Sequence, residues 1–491
     1  MIIRPISRGM FRQRFSLIAF DMAEDAPDAR QIYSMKVFLT PKKNGKGRFV
    51  VDCRWLNERM EDPGEMGLPK MGTVIRRVLS WKYAAQCDAV SFFSQFTVNP
   101  ALRDYFRMRL GGQRGQIAEM RMKRMPMGWK YAPKIAQTVA NILMQEDGIA
   151  WVDNFLVGGR TMEEFERRRA AVQRRFQRYN VEVDDTEMRP AHRLCALGLE
   201  FDLARQQYRL DPAWTEKRRT LLTAEMSQPR TYREWYQIYG AVVWASFVLE
   251  RPLYMHAEAL AALSQLAKDV DGQWDTRVEL PEYAERDLAL WREDTLAAAE
   301  NWHRPQRPID EGAIDDDWGL THNVSDSAHA PNKLVFSDAS DDRAAWVAVV
   351  EGLIVDGAQW KRNGGEGIFL GELDALLEAY DANGESDRYI IDNRGLHFVA
   401  RGGHSSSYEA NCRLRDRLRG RWIRSWWTPS RKNLVDPWSR EKRLGRFPMR
   451  AEHWVVPDDE KGDRATQTKF PQCHFFPSWR VREWDKSTLE W

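Results

Sequence analysis

The sequence predicts a multidomain α+β chain, and three observations lead there. At 491 residues the chain exceeds what one hydrophobic core sustains, so roughly two to four domains are expected. β-type runs with turn residues between them occupy 31–60, 82–98 and 149–159 and return after 333, whereas 212–304 reads as successive Trp-rich helices. Between these blocks, 304–333 shifts to Pro, Gly, Asp and Ser without periodicity, the composition of a linker.

Charged residues make up 30% and hydrophobic residues 43%, a globular balance. Lys plus Arg (74) nearly cancels Asp plus Glu (71), so a preference for nucleic acid would have to reside in local charge. Five cysteines without a CxxC spacing indicate neither a disulfide framework nor a zinc site. A reducing, intracellular setting follows, cytoplasmic or nuclear. No apolar run is long enough to span a bilayer, and no membrane partner is expected. Arg4, Arg8, Arg12 and Arg14 precede any acid, which suits a basic first strand or arm better than a transit peptide.

In chain order, YSMKVFL and GRFVVDC read as a hairpin around the basic loop PKKNGKG, with Lys42, Lys43 and Lys46 at its tip and Arg48 opening the return strand. Such a tip suits a triphosphate, and equally a solvated turn. KYAAQCDAVSFFSQFTV places Asp88 at the end of a strand with Phe93 just beyond, which fits a metal ligand beside an aromatic wall or an N-cap with a core Phe. Arg103, Arg107, Arg109, Arg114, Arg121, Lys123, Arg124 and Lys130 then face only Asp104 and Glu119, an excess that favours phosphate contact. In MPMGWKYAPKIAQTVANILMQ, Gly128 and Pro133 precede a helix with Ile135, Val139, Ile142 and Leu143 on its apolar side. IAWVDNFLVGG, 149–159, is a hairpin with Asp153 and Asn154 at its tip. A carboxylate on a tight turn between packed strands is rigidly aimed, as a divalent metal requires. Phe165, Val172, Phe176 and Tyr179 form the stripe of the next helix.

A second constellation follows 333. KLVFSDAS ends a strand with Asp338, GELDALLEAY puts Glu372 in the first turn of a helix, YIIDNRG leaves a strand with Asp392, and LVDPWSR starts a short helix at Asp436. Four acids at the ends of different elements are costly as packing and natural as a shared two-metal site. The run RLRDRLRGRWIR, from Arg413 to Arg424, could grip a nucleic-acid backbone.

The series PKKNGKGRFVVDCRWLN, CDAVSFF, MPMGWKYAPKIAQ, WVDN and LCALGLEFDLARQQYRLDP resembles the ordered motifs of retroelement reverse transcriptases over about residues 31–211. The resemblance implies a right-hand polymerase of fingers, palm and thumb, with Asp88, Asp153 and Asn154 at its centre and Asp88 and Asp153 holding two Mg²⁺ or Mn²⁺ ions. It makes Lys42, Lys43, Arg48, Phe93, Met127 and Gly128 the nucleotide-binding set, with Phe93 as the gate against a ribose 2′ hydroxyl, and Leu197–Glu200 the primer grip. The family usually carries Tyr-x-Asp-Asp at the hairpin, where this chain has Trp151, Val152, Asp153 and Asn154. The later block resembles an RNase H domain of mixed α/β fold, most like those of tyrosine-recombinase retroelements of the DIRS kind and of hepadnaviruses. Asp338, Glu372, Asp392 and Asp436 match its four acids, again with two Mg²⁺ or Mn²⁺ ions, and Arg431 stands near the place of a histidine that some relatives carry.

The implied organisation is fingers and palm over 1–211, a helical thumb and connection over 212–304, a linker over 305–332, an RNase H-like domain over 333–445 and a Trp-rich tail over 446–491. The implied partners are an RNA template, a DNA primer, the RNA–DNA hybrid and dNTPs. Two alternatives stay open: a polymerase-inactive copy that keeps only its nuclease, and a non-catalytic nucleic-acid-binding protein.

Overall fold

The computed structural model describes residues 4–5, 23–25, 35–41, 47–111, 117–223, 230–305, 333–350, 353–362, 365–384, 388–428, 430, 433–440, 443–444 and 449–450. Lys42, Lys43, Lys46, Arg114, Arg431, most of the 305–332 segment and the tail tryptophans lie outside the described residues, as do the side chains of Arg48 and Arg109. The chain is a mixed α+β protein that divides between Gln206 and Gln207 into two compact units.

Unit 1 is built on a three-stranded antiparallel sheet in the order Tyr83–Asp88, Asn154–Gly159, Gly148–Trp151. The last two strands form the hairpin, and their register pairs Trp151 with Asn154 across a two-residue turn of Val152 and Asp153. The middle strand is buried from Phe155 to Gly159, because the helices Ala132–Met144 and Met162–Arg178 pack on the sheet. Thr161 caps the second helix by accepting from the Glu164 N–H at 3.1 Å, and Glu163 and Glu164 in its first turn complement the dipole. Smaller sheets pair Val37–Pro41 with Gly47–Val51, and Ile117–Met122 with Arg107–Gly111.

Two apolar stripes read from the sequence need correction. In Ala132–Met144 the buried line is Ala132, Ala136, Ala140 and Leu143, while Ile142 is 54% exposed. Alanines let the helix approach the sheet closely, and 3.6-residue periodicity alone does not say which of two apolar faces does so. Tyr179 is 55% exposed rather than in line with Phe165, Val172 and Phe176, because it is the C-cap, where the chain leaves the helical path.

Unit 2 begins with the helices Pro212–Thr223, Tyr232–Val248, Ala257–Asp269 and Glu282–Ala299, closed over Trp235, Tyr239, Leu260, Leu288 and Trp291. Thr231 and Glu234 start the second of these with a reciprocal capping box. There follows a six-stranded mixed sheet ordered Ser425–Trp427, Arg388–Ile391, Leu334–Ala339, Arg343–Val350, Leu353–Lys361, Met449–Arg450. Leu334–Ala339 runs parallel to Arg388–Ile391 on one side and antiparallel to Arg343–Val350 on the other. The helix Ile368–Asn383 covers it through Leu373, Leu376 and Leu377. Tyr254, from the helical segment, sits in that same core and donates to the Arg421 carbonyl.

The cations picked out by sequence are largely spent on internal bonds. Arg413 pairs with Glu366, Asp374 and Glu409, Arg415 with Glu258 at 2.6 Å, and Arg417 with Glu378 and Asp381. In unit 1, Arg107 is buried against Asp104, which Arg121 also reaches, and Arg124 donates to Thr97. Sequence counts charges but not their partners. Among the described residues no helix is long and apolar enough to cross a membrane.

Candidate active sites

The tightest cluster is in unit 2. Leu334–Ala339 carries Asp338 at its end in the middle of the sheet, and the parallel strand Arg388–Ile391 delivers Asp392 one residue past its own end. The covering helix brings Glu372 over the same edge, in its second turn rather than the first turn read from sequence. One carboxylate oxygen from each of Asp338, Glu372 and Asp392 lies within 4.8 Å of the others. Asp436 opens the helix Asp436–Arg440, receives the Arg440 guanidinium at 2.9 Å, and adds to the negative field at Asp338 and Asp392.

This arrangement is electrostatically strained. Burial, and then the Asp392 charge, push Asp338 up to about 7, against the hydroxyl of Ser439, which donates to its Oδ2 at 2.6 Å. Burial pushes Glu372 up to about 8, opposed by the Asn393 amide that donates to it. Burial also raises Asp392, opposed by Ser430 and Asn433. Among the described residues none of the three is in an ion pair. All-oxygen donors, closely spaced, one buried and two half-buried, and short of positive charge, fit a hard divalent cation such as Mg²⁺ or Mn²⁺.

Ser439 and Asn393 escaped the sequence reading. Each lies in a quoted motif, DNRG and DPWSR, but short polar residues beside an acid look like turn chemistry until the fold turns them onto a carboxylate. Ser439→Ala is expected to weaken Mg²⁺ affinity, measured by calorimetric titration of the metal, by about 10–100-fold, the usual scale for losing an outer hydrogen bond to a ligand. An unchanged titration would show that Asp338 needs no such support.

The raised carboxyls also set a stability profile. Asp338 and Glu372 keep their protons in the folded chain far above the ordinary carboxylate range. Their contribution is therefore complete below the unfolded pKa and is lost as pH rises through about 7 to about 8. In EDTA the thermal midpoint of unit 2 is expected to fall between roughly pH 5 and 8.5, and added Mg²⁺ to restore it at the alkaline end. A midpoint that rises with pH in EDTA would contradict this.

In unit 1, Asp88 ends its strand directly opposite Asn154, and the Ala89 N–H donates to the Asp153 carbonyl at 2.7 Å. The structure thus brings Asp88, Asp153 and Asn154 to one end of the sheet. A further acid, Asp184, accepts from the Asp88 N–H at 2.7 Å. Partial burial, then Asp184 and Asp153, raise the Asp88 pKa. The Asn154 amide donates to Asp153 Oδ1 at 3.3 Å, a neutral contact that adds no charge.

The turn itself is held by Gln137, fully buried on Ala132–Met144: its amide donates to the Ala150 carbonyl at 3.1 Å and its Oε1 accepts from Val152 N–H at 2.7 Å. Val152 has a φ of 55°, unfavourable for a β-branched residue, and the Gln137 bond pins it there. Gln137 and Asp184 were not singled out by sequence, since nothing in the one-dimensional pattern marks a buried amide or a loop acid as facing this hairpin.

The nucleotide-binding candidates among the described residues, Arg48, Phe93, Met127 and Gly128, all lie in unit 1. Phe93 is half-buried and packs against both cores that flank its short helix. Met127 is 40% exposed. Gly128 has a φ of 107°, and a Cβ there would meet the Val51 carbonyl at 3.0 Å. Asn57 fixes this segment by donating to the Gly128 carbonyl at 2.8 Å and accepting from Lys130 N–H at 2.9 Å. Arg48 lies on the strand Gly47–Val51, opposite Thr40. Leu197 and Gly198, both at positive φ, form the turn of the hairpin Arg193–Ala196 and Leu199–Asp202, which holds the Leu197–Glu200 segment that the sequence resemblance makes a primer-grip candidate.

No protein-family model matches the chain. Among solved structures it is similar to the foamy viral protease-reverse transcriptase dRH in complex with double-stranded DNA, at 14% identity and a TM-score of 0.48, over 87% of this chain and 72% of that one. It is similar also to the foamy viral protease-reverse transcriptase in complex with double-stranded DNA, at 14% identity and a TM-score of 0.47, over 88% of this chain and 84% of that one.

Proposed function

We propose that this chain is an RNA-directed DNA polymerase with ribonuclease H activity, of the retroelement kind, which copies RNA into DNA and cleaves the RNA of the resulting hybrid. The observation that carries the reading is the convergence of Asp338, Glu372 and Asp392 within 4.8 Å, from two strand ends and a covering helix, without an ion-pair partner among the described residues. Packing alone gives a chain no reason to bring together one buried and two half-buried carboxylates with no cation paired to them.

In unit 2 the metal-holding set is Asp338, Glu372, Asp392 and Asp436; in unit 1 it is Asp88 and Asp153. Two Mg²⁺ or Mn²⁺ ions per site would supply the Lewis acidity that makes a nucleophile of water or of a primer 3′ hydroxyl and stabilises the leaving oxygen. Ser439 and Asn393 hold Asp338 and Glu372 in place, while Gln137 keeps the Asp153 turn in its strained form. Phe93, Met127, Gly128, Arg48, Lys42 and Lys43 serve the incoming dNTP.

The direct test is a hybrid labelled in its RNA strand, incubated with the full chain in Mg²⁺ and in EDTA. Internal RNA cuts in Mg²⁺ alone support the reading. Retention of the hybrid without cuts in either buffer would point to a binder without catalysis. A second reading, a nuclease whose polymerase site is silent, is favoured by one observation: Asn154 places a neutral amide against Asp153, in a motif where the family usually has a second acid.

A further inference from the structure

We propose that a cavity at the opposite end of the unit 1 sheet from Asp88 and Asp153 binds a phosphate or diphosphate group through Arg77, Arg160 and Arg168. The cavity, about 340 Å³, is lined by these three arginines with Ser80, Trp81 and Glu164. It is separate from the carboxylate site. Tyr83 pairs with Gly159 at the cavity end of the sheet, and Asp88 with Asn154 at the other, so the strand Tyr83–Asp88 separates them by about 17 Å at about 3.3 Å per residue.

The walls are built rather than incidental. Trp81 is 2% exposed and its ring lies against Gly158, where a Cβ would come within 2.1 Å, so it forms a rigid wall. Arg168 donates to the Gly158 carbonyl at 2.7 Å and meets Glu164 at 2.9 Å. Arg77 donates to the Glu146 carbonyl at 2.7 Å. Each of these guanidiniums is anchored by part of its five-donor fork, leaving the remaining N–H groups available. Arg160 is exposed, and its guanidinium has no partner among the described residues.

Charge balance points the same way. Three cations line the cavity against one acid, Glu164. Of the acids near Arg77, Asp147 is already paired with Arg175, which leaves Glu146. Burial, together with the like charge of Arg168, lowers the Arg77 pKa, a tension that an anion between them would relieve. Several guanidiniums around one small polar space match the multiple oxygens and charge of a phosphate better than a single carboxylate, which one arginine satisfies. The phosphate could belong to a free diphosphate compound or to the end of a nucleic-acid chain.

Calorimetric titration of the full chain in EDTA, which removes metal-bridged binding at the carboxylates, separates these. The probes are pyrophosphate, ADP, and one oligonucleotide in 5′-phosphorylated and 5′-hydroxyl forms. Saturable binding of pyrophosphate and ADP assigns a free ligand; tighter binding of the 5′-phosphorylated oligonucleotide than of its 5′-hydroxyl twin assigns a chain end. In either case Arg160→Ala, which removes no internal contact, is expected to weaken binding about tenfold or more, and Arg160→Lys to weaken it less. No saturable binding by any probe, or binding unchanged in both Arg160→Ala and Arg77→Ala, would overturn the proposal.

Discussion

Asp338→Asn is expected to abolish RNA cleavage in a hybrid, by on the order of 10³-fold or more, while hybrid binding persists. Asp338 is the most buried of the three clustered acids, at 5% exposure, and stands on the central strand of its sheet. An amide keeps its shape and can still accept from Ser439, but brings no charge to a cation. The same change removes one of the charges that repel Asp392 and Glu372, so the metal-free variant is expected to melt higher than the parent at pH 8. Loss of cleavage with gain of stability is the signature of an acid kept for chemistry. Loss of cleavage with loss of binding and a lower midpoint would make Asp338 a structural residue.

Asp153→Ala is expected to remove primer extension to a comparable degree, with RNA cleavage left intact because the carboxylates proposed for that chemistry lie in unit 2. Asn154→Asp tests the neighbouring position in the opposite direction: a second carboxylate on the hairpin should raise extension, since Asn154 contributes an amide only. Extension that survives Asp153→Ala would remove the hairpin acid from the site altogether.

Much of this was legible in the sequence. The hairpin 149–159 was readable because β-type runs flank a two-residue turn, and Asp338, Asp392 and Asp436 because each ends, follows or opens a strongly patterned element, whereas Glu372 was read one turn too early. What escaped is long-range. Gln137 is fixed by hydrogen bonds to residues 13 and 15 positions away, Ser439 by one 101 positions away, and Asp184 by one 96 positions away. The arginine runs misled for the same reason: Arg415 finds Glu258 across 157 positions, a pairing invisible to a local charge count. Ile142 and Tyr179 show that apolar identity does not settle burial at a helix end or on a face where alanine permits closer approach.

The most direct measurement is primer extension on an end-labelled RNA template in Mg²⁺ or Mn²⁺, following DNA growth and template length in one reaction with the unaltered chain, Asp153→Ala and Asp338→Asn. The account predicts that the unaltered chain lengthens the primer and shortens the template, that Asp153→Ala loses the first, and that Asp338→Asn loses the second. A chain that does neither with either metal, or whose two activities are untouched by these substitutions, would contradict it.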